Sequence, residues 1–261
     1  MYGKRNVTRT WPLTARIGAT GIAAFYLASI VAGLFKPGYS HVREAVSALA
    51  ATDSPGAPVL ITGFVLAAVG ITAVDVGLRR RLGAHRSGRI GSWLVLVAGL
   101  LMVPAGLARQ DCSERLPSCI DHGAAPLASG HFWVHQYVSL LLFLLLAIAQ
   151  FVLARGLRRT PGLAHLARWS RLAGVVSVLG IAGLMVDPPA LDPYAGLFQR
   201  LFILVLFGWP LVAAAAPART PDVGEPARQR QVERTATRAA SGMFAERRAL
   251  TPAWVEPTDP G

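Results

Sequence analysis

The chain has 261 residues, 53% hydrophobic and 15% charged, with mean hydropathy +0.44 and net charge +12. Soluble domains carry about 25% charged residues, so this composition excludes an ordinary water-soluble domain. The basic residues fall in short clusters between apolar runs, not on one soluble domain, which argues against nucleic acid as a partner and makes the charge an orientation signal.

A helix needs about 20 apolar residues to cross a hydrocarbon core about 30 Å thick. Six stretches qualify: residues 13–35, 58–78, 92–108, 131–154, 172–186 and 197–216. The first is too long for a signal peptide and no small-residue cleavage site follows it, so it reads as a helix that stays. Exposed extended backbone cannot sit in lipid, and the short alternating segments of a barrel are absent. The expected fold is all-α: a polytopic membrane protein with six transmembrane helices in one bundle. Its parts are a cytoplasmic N-terminus (1–12), the six-helix domain (13–216) and a disordered cytoplasmic tail (217–261).

In chain order, the first helix carries Ala24, Ala28 and Ala32 at every fourth position, a spacing that lets helix backbones approach in lipid. The first outer loop follows. Ser40 is placed as an N-cap, and Val42, Val46 and Leu49 then share one face of a short helix lying in the interface. His41 and Glu44 are spaced to pair, and Glu44 with Ser47 could cap an outward-facing cavity. The second helix repeats the small-residue signal at Gly63 and Ala67, and its Asp75 is explained by an ion pair with Arg79 one turn on. Pro104 and Pro210 are expected to kink the third and sixth helices.

The second outer loop holds Asp111, Cys112, Glu114, Cys119, Asp121 and His122. In an oxidising compartment Cys112 and Cys119 are expected to form a disulfide. The rival is a metal site with His122, against which six intervening residues is not the usual zinc spacing. The fourth helix opens with His131 and His135 on one face, which Gln136 and Ser139 extend inward. The two histidines are candidate metal ligands or hydrogen-bonded interface residues. The sixth helix begins with Gln199 and Arg200, and an arginine there is costly unless it snorkels to the headgroups or meets a carboxylate, for which Glu44, Asp111 and Asp187 are the outer-side candidates.

The clusters then set orientation. With the N-terminus inside, 21 of the 26 basic residues lie on one side, leaving Lys36, Arg43, Arg109, Arg115 and Arg200 outside. The positive-inside rule gives N-in/C-in in the cell (plasma or inner) membrane.

Pro37-Gly38-Tyr39-Ser40 with Arg43-Glu44-Ala45-Val46-Ser47-Ala48-Leu49 resembles the first outer loop of the bacterial domain of unknown function 998 family. Asp111, His131 and the run Gly196-Leu197-Phe198-Gln199-Arg200 with Trp209 are similar to its other signatures, although Gln199 stands where that family more often has Glu. The resemblance covers residues 13–216 and implies a six-helix membrane fold, with no activity or cofactor to carry over.

The expected function is a lipid- or small-molecule-binding or accessory bundle. Its outward-facing pocket is expected to gather Glu44, Ser47, Asp111, His131, His135, Gln199 and Arg200, with membrane lipids as partners. A metal-dependent hydrolase or transferase at the outer face, and a transporter, stay open as alternatives. So does the question of whether it is an enzyme at all.

Overall fold

The structure, a computed structural model, describes residues 11–112, 129–186, 188 and 190–217. The chain divides after Arg219; the second unit, and with it the tail expected at 217–261 apart from Pro217, lies outside the described residues.

Six helices make up the described part: α1 (Leu13–Leu34), α2 (Ala57–Leu82), α3 (Arg86–Leu107), α4 (Gly130–Arg159), α5 (Ala167–Val186) and α6 (Ala195–Ala215). Each lies in a segment long and apolar enough to cross a membrane. Leu27, Leu66, Val69, Leu100 and Leu179 are left exposed on their outward faces, as lipid-facing residues are. The chain is a multi-pass, all-α membrane protein. Its helices are longer than their apolar cores: α3 begins at Arg86, α4 runs to Arg159 and α5 begins at Ala167. Arginine at a membrane boundary does not end a helix, because the backbone stays hydrogen-bonded while the side chain extends to water.

Consecutive helices pack on one another, and α6 returns to α1 and α2, which closes the bundle. On α1 the buried positions Ala15, Gly18, Ile22, Phe25, Ser29 and Ala32 recur every three or four residues. The small-residue signal between α1 and α2 extends further than expected. A Cβ on Gly63 would lie 2.7 Å from the Cβ of Ala28, and one on Gly21 would meet the backbone of Gly70 at 2.8 Å. Pro104 and Pro210 both sit inside uninterrupted helices.

The first loop differs from the expected interfacial helix. Ser40 closes a turn instead: its carbonyl accepts from Arg43 N at 3.2 Å and Glu44 N at 2.8 Å. A 3-10 turn follows over Val46–Ala50, with all five residues buried. Val42 is 43% exposed while Val46 and Leu49 are buried, so the three share no face. The loop is tucked into the mouth of the bundle because three cations bind its carbonyls, as the site geometry makes plain.

Candidate functional site

Lys36, Arg109 and Arg200 hold the first loop by its backbone. The Arg200 guanidinium donates to the carbonyls of His41 (2.7 Å), Glu44 (3.0 Å) and Gly196 (2.9 Å), and to Tyr39 Oη (2.7 Å). Arg109 donates to the carbonyls of Ala50 (3.0 Å) and Ala51 (2.6 Å). The Lys36 Nζ, on a side chain 4% exposed, reaches Ala48 O at 3.1 Å and Asp53 at 2.9 Å. A loop without regular structure leaves its carbonyls needing partners, and charged donors are the strong ones. Three of the five basic residues expected on the outer side are thereby explained. Arg43 is exposed, and Arg115 lies outside the described residues.

Arg200 therefore meets Glu44 through the backbone, while Glu44 Oε1 accepts the amide of Ser40 at 2.9 Å. Burial pushes the Tyr39 hydroxyl above its ordinary range against the pull of Arg200, so it stays protonated and donates to Ala45 O at 2.9 Å. The Nδ1 of His41 accepts from Arg200 at 3.1 Å. Burial and the Arg200 charge hold this imidazole below its ordinary value of 6.5, with Glu44 acting the other way. A depressed folded-state value means that stability is complete above 6.5 and is lost as the pH falls through the folded value. The melting temperature of His41→Asn, which keeps an acceptor, should therefore fall less steeply below that pH than that of the natural chain. Equal slopes would contradict the assignment.

A second cluster joins α3 to α4. Ser129, the N-cap of α4, accepts from Phe132 N at 3.3 Å and donates to Asp111 Oδ1 at 2.6 Å, and its amide donates to Oδ2 at 2.8 Å. Burial works against the charged form, but the Ser129 hydrogen bonds and the His131 ring outweigh it and hold the Asp111 carboxyl below the usual carboxylate value. Asp111 is thus engaged by Ser129 and stands 3.5 Å from His131 Nδ1, and is not the acceptor of Arg200. The two histidines do one job twice. His131 Nδ1 lies 2.6 Å from Arg109 O and His135 Nδ1 lies 2.8 Å from Ala105 O, so residues four apart on α4 meet carbonyls four apart at the end of α3. A carbonyl only accepts, so each Nδ1 carries a proton, and the neutral form of His135 keeps its acceptor on Nε2. Among the described residues no group of three or more His, Cys, Asp or Glu could hold a metal ion, so the paired-histidine metal reading gains no third ligand from them. Cys119 and His122, and with them the expected pairing of Cys112, lie outside the described residues.

Between these clusters lies a cavity of about 230 Å³ reached by all six helices. At the loop end it is lined by Ser47, Gln110, His135, Gln136, Ser139 and Gln199. His135 Nε2 faces Ser139 Oγ at 3.5 Å, and Gln199 Oε1 accepts from Val46 N at 2.7 Å, tying the roof to α6. Deeper in, its wall is apolar, with Phe25, Phe64, Leu142, Phe143, Ile203 and Phe207. No charged residue lines it among the described residues.

The candidate residues are thus divided. Ser47, His135 and Gln199 face the cavity, Glu44 and Arg200 fix the loop beside it, and Asp111 and His131 fix the helix junction. The charges found partners in the loop backbone and at the helix junction instead of in one another, which costs less than a shared, partly dry pocket. Sequence reasoning missed Gln110, one residue from a candidate it named, and the pinning roles of Lys36 and Arg109. It also missed Gln150, fully buried among apolar residues of α4. Gln150 O accepts from Ser170 Oγ at 2.6 Å and Gln150 Oε1 from Ser177 Oγ at 3.2 Å, and its amide lies 3.4 Å from Leu206 O, joining α4, α5 and α6. A lone amide in an apolar run was the available signal.

No curated protein and no solved structure matches this chain. A family model described as a protein of unknown function (DUF998) matches residues 19–216, and the chain belongs to that family.

Proposed function

We propose that the bundle binds one uncharged amphiphile, its polar group among Ser47, Gln110, His135, Gln136, Ser139 and Gln199 and its hydrocarbon against the aromatic floor. The polarity gradient of the cavity carries this reading. Leu142 lies seven residues beyond His135 on α4, about 10 Å along the axis, so polar and apolar parts of a ligand are served at different depths. Burying an unpaired charge costs several kcal/mol, roughly, and the wall offers none to compensate, so a neutral head with hydroxyl or amide groups suits it. The fixed tautomer of His135 turns an acceptor toward such a hydroxyl. Titration with a short monoacylglycerol tests it: saturable binding is expected, with a fatty-acid anion of equal chain length at least tenfold weaker. No binding of the neutral probe, or equal binding of both, would overturn the reading.

The distribution of basic residues, 21 of 26 on one side, supports N-in/C-in, with the cavity mouth on the outer side of a plasma (inner) membrane. An outside location in turn supports a Cys112–Cys119 disulfide. In a background lacking both cysteines, an impermeant thiol reagent on intact cells should label Ser118→Cys and spare Ala84→Cys. The reverse pattern would refute the orientation.

A further inference from the structure

At the opposite end of the bundle from the cavity, Arg155 and Arg158 of α4 and Arg171 of α5 line a cleft with Phe151, Ala154 and Ala167. Ala154 and Ala167 are buried and all three arginines are exposed. Asp75 pairs with Arg79 and Asp53 with Lys36, but Arg155, Arg158 and Arg171 have no hydrogen bond or ion pair among the described residues. Three like charges facing one cleft repel one another, and no carboxylate among the described residues pairs with them.

We propose that this cleft binds a phosphate group, that of an anionic phospholipid headgroup, with the start of the acyl region against Phe151 and Ala154. Three observations support it independently of the cavity. Guanidinium groups match phosphate oxygens in paired geometry, and two helices contribute them. Arg155 directly follows the apolar run of α4, so the arginines stand at the depth where lipid phosphates lie. Ala167 opens α5, so the positive end of that helix faces the same space. The apolar part of the lining distinguishes a lipid from free phosphate, which would gain nothing from Phe151.

The test is a titration of the detergent-solubilised full chain with short-chain phosphatidylglycerol, short-chain phosphatidylcholine and inorganic phosphate. Phosphatidylglycerol should bind saturably, at least tenfold tighter than phosphatidylcholine. The variant Arg155→Gln/Arg158→Gln/Arg171→Gln should lose about tenfold in that affinity. The variant Arg86→Gln/Arg89→Gln/Arg159→Gln removes as much charge outside the cleft and should keep it. Inorganic phosphate binding as tightly as phosphatidylglycerol would retain the phosphate site but overturn the lipid as its source. Equal losses in the two variants, or none in either, would overturn the site itself. Monoacylglycerol binding should be unchanged in both, which separates this outcome from that of the cavity.

Discussion

Replacing Arg200 by alanine should destabilise the protein by about 3 kcal/mol or more and free the first loop for proteolysis. The guanidinium satisfies the carbonyls of His41, Glu44 and Gly196 together with Tyr39 Oη, and no other side chain is placed to take over all four. Each buried acceptor left unmatched costs about 1–3 kcal/mol. Lysine should rescue little, since a single ammonium cannot reproduce the planar fork that spans these oxygens. Gly196 is part of the same arrangement: a Cβ there would stand 2.2 Å from Glu44 O, so only glycine lets α6 approach the loop closely enough. Melting of the variant in detergent, with limited proteolysis between α1 and α2, measures the effect. A change of under 1 kcal/mol, roughly, with the loop still protected, would show that the carbonyl cage is incidental.

Gly21→Leu should cost about 3 kcal/mol, the upper end of what overpacking does. A Cβ at this position would sit 2.5 Å from Leu66 O, 2.8 Å from Gly70 Cα and 3.0 Å from Gly70 N. All three are backbone atoms of α2, which cannot turn aside as a flexible side chain can, so α1 and α2 must separate. That separation would remove the dispersion contacts that hold helices together in lipid, where apolar burial gives no preference for protein over acyl chains. Gly208→Leu is the control, because a Cβ on Gly208 meets nothing within 4 Å. Denaturant titration in mixed micelles should separate the two variants clearly. Equal stability would mean that the α1–α2 approach is looser than described.

The six spans were legible because hydrocarbon thickness sets a minimum apolar length, and no tertiary detail enters that rule. Asp75 with Arg79 was legible too, being fixed by helical spacing alone, and the pair is found at 2.9 Å. The short ends assigned to α3 and α5 came from ending each helix where the charges began, although arginine ends the hydrocarbon and not the helix. The first loop was misread for a different reason. Its pattern of Val42, Val46 and Leu49 fits a helix, but the loop conformation is decided by Lys36 at its start and by Arg109 and Arg200 elsewhere in the chain, which bind carbonyls that carry no sequence identity. The candidate pocket shows the same division. Ser47, His135 and Gln199 are uncharged and face the cavity, whereas Glu44, Asp111, His131 and Arg200 are drawn to backbone partners that a sequence does not display.

The central claim, that the cavity holds a neutral amphiphile, is tested most directly by mass spectrometry of what is extracted from the chain purified in mild detergent. The natural chain should yield an uncharged, hydroxyl- or amide-bearing amphiphile near one per chain. Leu184→Trp, which places a larger ring in the cavity wall without touching a polar residue, should yield at least tenfold less at an unchanged melting temperature. Equal recovery from both proteins, or recovery of charged lipids alone, would contradict the account.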